Sequence, residues 1–432
     1  MGQKGNMRRS VGWIFILTLI LSFRVEAQTY WTSLTPATDK DLHRVFFLDS
    51  LTGWTVGEGG TILKTTNGAQ SWVVQNSKIT SSIGDIFMLD TLRGWALSQT
   101  LPGVGWYGTL ILTTTDGGGS WSKSQYPDTG QYMYSICYLD SLHGWMAGEY
   151  GRMVGTSDGG QTWSPATVDT LFPFAIRRIK FFSPLYGVAV GGVRDVTAVI
   201  WQTTSGGEVW SARRIGSEPL NDLFFKDSLT VISVGGDFEF GATVVKTTNG
   251  GVDWEYNFVG FFGVGGGVAF RTAAEGWSPL GFSGSIMYTL DSAQTWQSME
   301  VPNRSYVYDV AFTDERNGFM IGLAGAILKY NPVAGVRRQP EPGIPAENIL
   351  YQSYPNPFNP TTEIGYQISE VSHVTLIVYN LLGQSVATLV QQEMMPGKYT
   401  VTWDAGSFPA GMYFCRLLAG TQRMTRKMIL LK

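Results

Sequence analysis

TSDGGQTW, running from Thr156 to Trp163, decides the fold, because the chain says it six times. The other copies are TTNGAQSW (Thr65–Trp72), TTDGGGSW (Thr114–Trp121), TTSGGEVW (Thr203–Trp210), TTNGGVDW (Thr247–Trp254) and TLDSAQTW (Thr289–Trp296). Their tryptophans are spaced by 49, 42, 47, 44 and 42 residues. A short strand such as TILK (Thr61–Lys64) or TVVK (Thr243–Lys246) stands upstream of each turn. Before it comes a glycine-aromatic strand: Gly53-Trp54, Gly94-Trp95, Gly144-Trp145, Gly276-Trp277 and Gly318-Phe319. Earlier still is an alternating strand ending in a turn, as in VFFLDSLTG (Val45–Gly53) or ICYLDSLHG (Ile136–Gly144). Four short strands in a unit of roughly 40–45 residues mark a propeller blade. One blade cannot bury both of its faces, so the blades must pack on each other around an axis.

The ends of the array give the blade count. The last unit, VAFTDERNGFMIGLAGAILKYN, supplies three strands and no closing tryptophan. Trp31 stands 18 residues before Asp49, as Trp72 stands 18 before Asp90. The N-terminal strand is therefore expected to complete the last blade and remove the open edges. Seven tryptophan strands predict seven blades, over residues 28–331.

Composition agrees with an all-β chain. Among 432 residues, 53 are Gly, 15 Trp, 19 Tyr and 23 Phe, while charged residues make up 15%. Such a chain is built of strands and tight turns rather than long charged helices. The net charge of −3 speaks against nucleic acid, whose phosphates call for a basic footprint. Two cysteines make neither a disulfide framework nor a thiolate zinc site, and His43, His143 and His373 are too few and scattered for a His-rich one. No metal and no cofactor is expected.

Residues 1–27 read as a cleavable signal peptide. Lys4, Arg8 and Arg9 precede the apolar stretch VGWIFILTLILSF, and Val25-Glu26-Ala27 offers a small-residue cleavage site. Its removal takes away four basic residues and one acidic one, leaving a mature charge of −6 and no transmembrane span.

The turn resembles the Asp-box of sialidase-like propellers, Ser/Thr-x-Asp-x-Gly-x-Thr-Trp, which TSDGGQTW fits in full. The whole unit resembles the photosystem II assembly/stability factor family of propellers. Copies decay: Ser205 replaces the acid, Asn67 and Asn249 are amides, and Val231 has no preceding counterpart of Gly53. Beyond a proline-rich linker (332–349), residues 350–432 resemble the C-terminal sorting domain of the type IX secretion system. The pieces are YPNPFNPTTEIGY (Tyr354–Tyr366), VTLIVYNLLGQSVATL (Val374–Leu389), GKYTVTWDAGSFPAGMYFCRL (Gly397–Leu417) and the terminal RKMILLK. Their alternating strands predict a small immunoglobulin-like β-sandwich. The resemblance implies the type IX secretion machinery as a partner, and a secreted or outer-membrane-surface location.

No catalytic constellation stands out. Gly263–Gly267 (GVGGG) lacks the Lys of a phosphate loop and reads as a flexible loop between blades. Cys137 and Cys415 read as core residues. Arg177, Arg178, Arg213 and Arg214 are adjacent pairs on strands and cannot all converge as a sialidase would need. The short acids of the turns, among them Asp49, Asp116, Asp158 and Asp291, read as turn formers.

One set of positions suggests a site. Each innermost strand has a variable residue just before an apolar one: Arg44, Asp85, Ser135, Arg178, Asp222, Gly267 and Asp309. The sequence predicts that these ring one mouth of the central channel, either as a binding face for a protein or glycan or as a solvated, self-neutralising ring. Trp106 and Tyr107, in a long loop expected at the same end and opposite the Asp-box turns, are the predicted aromatic contacts. The expected function is a binding or scaffold module. A carbohydrate-active hydrolase of the sialidase or glycosidase kind and an adhesive surface component are the alternatives.

Overall fold

The computed structural model describes residues 30–103, 106–168, 172–331, 347–394 and 396–431, together with the backbone of 337–339. The expected signal peptide and most of the linker lie outside these residues. No α-helix occurs among the described residues.

Seven antiparallel sheets follow one another along the chain. The first blade contains Leu42–Phe47, Gly53–Gly57, Ile62–Thr65 and Val73–Gln75, hydrogen-bonded in that order from the inside out. The seventh contains Val307–Phe312, Gly318–Gly322 and Ile327–Tyr330, and its fourth strand is Trp31–Ser33 from the other end of the chain. Trp31 pairs with Tyr330 and is fully buried, with its ring edge-on to Tyr330, Trp277 and Phe312. The ring is closed by the strand that the spacing of Trp31 predicted. In the fourth blade an added strand, Thr167–Val168, pairs in parallel with Val209–Arg214 and covers the outer edge.

The glycine-aromatic signature has a steric cause. A Cβ on Gly53 would fall 2.4 Å from the Phe47 ring, and one on Gly144 would fall 2.6 Å from that of Tyr138. The missing side chain lets a flat ring from the inner strand lie across the second strand. The aromatic that follows the glycine (Trp54, Trp95, Trp145, Trp277 or Phe319) is buried on the opposite face.

The repeated turn is held by its own side chains. Thr156 Oγ1 accepts the Gly160 N–H at 2.9 Å, and Asp158 Oδ1 accepts the Thr162 N–H at 2.9 Å. Asn67 and Ser205 perform the acid's task by accepting the N–H groups of Ser71 and Val209. The decayed copies therefore keep the turn. Each box also leans on the hairpin between the first two strands, as where Gly68 N–H donates to Leu51 O at 2.9 Å and Gly159 N–H to Leu142 O at 2.9 Å. Both sets of turns thus share one end of the propeller.

The C-terminal region forms two four-stranded sheets. One runs Arg337–Gln339, Gly397–Asp404, Thr361–Ile368, Ile349–Leu350, and the other runs Ser385–Met394, Ser372–Asn380, Gly411–Ala419, Gln422–Leu430. Inward residues of both, including Ile364, Tyr366, Val401, Val374, Leu376 and Leu417, make a single core. That is a β-sandwich.

Candidate functional site

The inner strands place the variable residues by a shared irregularity. In six of them the register shifts immediately before the variable position, between Leu42/Arg44, Ile83/Asp85, Met133/Ser135, Ile176/Arg178, Leu220/Asp222 and Val307/Asp309. A bulge at that point bends the strand and re-aims the side chain after it. The apolar neighbours Val45, Ile86, Ile136, Ile179, Leu223, Val268 and Val310 are all buried, as expected of residues packed between blades.

The charged residues converge into one network. Arg44 lies 2.9 Å from Asp309, 3.4 Å from Asp85 and 3.9 Å from Asp222. Arg178 lies 2.8 Å from Asp85 and 3.2 Å from Asp222, and Lys180 adds a bridge of 3.0 Å to Asp222. Three carboxylates thus face three cations. The second oxygen of each acid reaches across to the next blade: Asp309 accepts the Val45 N–H at 2.9 Å, Asp85 the Ile136 N–H at 2.9 Å and Asp222 the Val268 N–H at 3.2 Å. Ser135 does the same for the Ile179 N–H at 3.3 Å. The acids therefore clasp inner strand to inner strand, satisfying backbone donors that the sheets leave free.

The network differs from a solvated ring at a mouth. Asp85, Asp222 and Asp309 are at most 2% exposed and Arg178 is 5% exposed. Burial pushes the Asp85 carboxyl up to about 6, against the downward pull of Arg44 and the Ile136 N–H. Burial likewise raises Asp309 despite Arg44. For Arg44 the cost of burial is outweighed by Asp309, Asp222 and Asp85, which hold its guanidinium charged. Gly267 leaves room for Asp309, whose Oδ1 would lie 2.2 Å from a Cβ at that position.

Above this floor the channel is hollow. A cavity of about 410 Å³ extends from the charged ring toward the C-terminal ends of the inner strands. That is the end of the Asp49-type and Asp-box turns, opposite to the expected binding face. Its walls include the half-buried rings of Phe46, Phe87, Phe181 and Phe224, beside Cys137 and Lys180. Phe46 meets Phe87 edge-on with centroids 5.5 Å apart. Burial raises the Cys137 thiol well above its ordinary value, as it does Cys415 (up to about 12), in line with core roles for both.

Trp106 and Tyr107 do not line this cavity. The strands Gly94–Thr100 and Gly108–Thr114 run further than expected, which shortens their connection. Both side chains are half-buried: Trp106 folds back against Gly108 at the end of its own loop, and Tyr107 lies against Gly130 in the connection between Ser122–Gln125 and Met133–Tyr138. The glycine run is no slack loop either. Gly265 N–H donates to Gly235 O and Gly266 N–H to Pro279 O, each at 3.0 Å, and a Cβ on Gly266 would strike Tyr308 O at 2.1 Å. Sequence reading missed Phe46, Phe87, Lys180 and Phe224, although each sits two residues after a variable position and so shares its side of the strand.

Residues 103–216 match the family described as photosynthesis system II assembly factor YCF48, and residues 352–431 match the secretion system C-terminal sorting domain. This chain joins a Ycf48-like propeller to a type IX sorting domain. The photosystem II assembly lipoprotein Ycf48 of a Picosynechococcus strain is 28% identical over 77% of this chain and 97% of its own. The Ycf48 lipoprotein of a Synechococcus strain is 27% identical over 24% of this chain, which spans only 30% of that relative. Among solved structures, one titled YCF48 bound to D1 peptide has a TM-score of 0.57 at 22% identity, covering 70% of this chain and 97% of its own. At that identity the likeness is one of fold. The sorting domain implies that the Ycf48-like propeller is exported by type IX secretion to the cell surface or beyond, with the secretion machinery as a partner. No helix among the described residues is long and apolar enough to cross a membrane.

Proposed function

We propose that the exported propeller is a binding module, and that its cavity takes a short apolar stretch of an extended polypeptide. The observation that carries this reading is the hollow of about 410 Å³, walled by half-buried phenylalanines and floored by a charge-balanced network. Its volume falls in the usual range for ligand sites, about 300–1,000 Å³, and suits a few residues rather than a folded domain. The floor is cross-linked between blades, so little ordering is required on binding. A relative of the same fold carries a peptide in its title, which favours the same class of ligand here.

A glycan is the competing occupant. Sugar hydroxyls need hydrogen-bonding partners, and the carboxylates of the floor are already engaged with its cations and with backbone N–H groups, leaving Arg178 Nη2 as its buried unpartnered donor among the described residues. The aromatic walls therefore favour apolar side chains. Peptide and glycan arrays probed with the mature chain (residues 28–432) test the choice. Binding to peptides with apolar segments supports the reading, and binding confined to glycans overturns it. Export is tested separately: a chain lacking 350–432 should stay inside a type IX-competent host, and its normal release would remove the sorting role.

A further inference from the structure

At the end of the propeller opposite the cavity, three acidic side chains from two neighbouring blades meet. Asp195 lies in the hairpin between Gly187–Val193 and Thr197–Thr203, Glu218 in the connection leading to Leu220–Phe225, and Asp237 at the end of Val231–Asp237. One carboxylate oxygen from each lies within 4.8 Å of the others. Glu218 is 1% exposed and Asp237 is 2% exposed. Asp237 is held in place by the N–H groups of Glu239 and Phe240, at 3.0 and 2.6 Å. Glu218 Oε2 accepts the Asp195 N–H at 3.5 Å, and its Oε1 is buried with no hydrogen-bond partner among the described residues.

Arg194, next to Asp195 in the same hairpin, is exposed and makes no ion pair with the three acids among the described residues, and the other basic residues of these blades are committed elsewhere. Arg178 belongs to the channel network, Arg213 donates to Val252 O, and Arg214 stacks over Phe172 and Phe174. Buried carboxylates without a counter-charge are costly unless a proton or a cation neutralises them. Three converging carboxylates, one of them with an orphaned oxygen, form the donor set of a hard cation. Calcium–oxygen distances are about 2.3–2.6 Å, so oxygens on one ion stand at most about 5.2 Å apart, and the separations here fall within that span.

We infer that Asp195, Glu218 and Asp237 bind a calcium ion that ties the fourth blade to the fifth. A chain exported from the cell meets calcium there, and extracellular calcium modules work at dissociation constants of about 10⁻⁴–10⁻³ M. Binding to the folded state alone stabilises it, so the bound ion raises the melting temperature.

The test is calorimetric titration and thermal melting of the mature chain in calcium, in magnesium and in chelator. The inference predicts one calcium per chain, a higher melting temperature in calcium than in chelator, and a smaller response to magnesium. Asp195→Asn, at an exposed position, should weaken calcium binding at least tenfold while the fold persists. Glu218→Gln should abolish the calcium response and melt above the wild type in chelator, because it removes a buried charge. Absence of heat and of any melting shift up to about 10 mM calcium would overturn the inference. So would a calcium response that survives in both variants, or a Glu218→Gln protein that melts below the wild type in chelator.

Discussion

Asp309 Oδ2 accepts the backbone N–H of Val45 at 2.9 Å, across 264 residues of sequence, while its Oδ1 holds Arg44 at 2.9 Å. This contact joins the seventh blade to the first at the channel wall, as Trp31 and Tyr330 join the chain's two ends further out. The propeller is thus closed twice, by a strand and by an ionic clasp.

Removing Asp309 should open the inner closure. Asp309→Ala leaves Arg44 with a weakened set of partners and the Val45 N–H with none. Breaking a buried pair of this kind costs about 3–5 kcal/mol. Urea unfolding should register a loss in that range, against little change for Asp39→Ala, whose bridge to Lys40 is exposed.

The outer closure can be cut independently. Deleting residues 28–40 strips Trp31–Ser33 from the seventh blade and bares the edge of Ile327–Tyr330. An unpaired edge next to exposed core invites pairing between molecules. The truncated chain should lose several kcal/mol of the roughly 5–15 typical of a domain, or aggregate, as read by light scattering and calorimetry. Melting like the intact ring would refute the closure.

Stability should pass through a maximum in mildly acidic solution. Asp85 is raised to about 6 in the folded state, so between about pH 6 and pH 4 the native protein takes up a proton that the unfolded chain does not. Its contribution is therefore present at low pH and lost as pH rises through 6. The turn acids behave oppositely. Side-chain and backbone hydrogen bonds hold Asp116, Asp140 and Asp158 near 2, and their contribution is lost as pH falls from about 4 toward 2. Equilibrium unfolding across this range should show both limbs, and Asp85→Asn should flatten the upper one.

The repeat made the fold legible. Trp72, Trp121 and their equivalents fix the period, and the 18-residue offset of Trp31 locates the missing strand. The convergence of Arg44, Asp85, Arg178, Asp222 and Asp309 was also readable, since every copy places a variable residue just before a buried one. Their burial was not, because it depends on the bulge before each residue and on acceptors reaching the next blade. The hollow side of the ring was hidden for another reason. Phe46, Phe87 and Phe224 look like ordinary strand aromatics until Cys137, Ala269 and Ala311, at the equivalent positions, are seen to leave space among them. Trp106 and Tyr107 drew notice as loop aromatics, and the longer strands around them are a property of pairing across the hairpin.

The two ends of the channel are the rival binding sites. Isothermal titration of the strongest array-selected peptide into the wild type, Phe224→Arg and Trp106→Ala proteins decides between them. Phe224→Arg puts a long charged side chain into the cavity and should weaken binding at least tenfold, while Trp106→Ala, on the far end, should stay within about twofold. Unchanged affinity in Phe224→Arg together with a loss in Trp106→Ala would place the site at the opposite mouth and contradict the account.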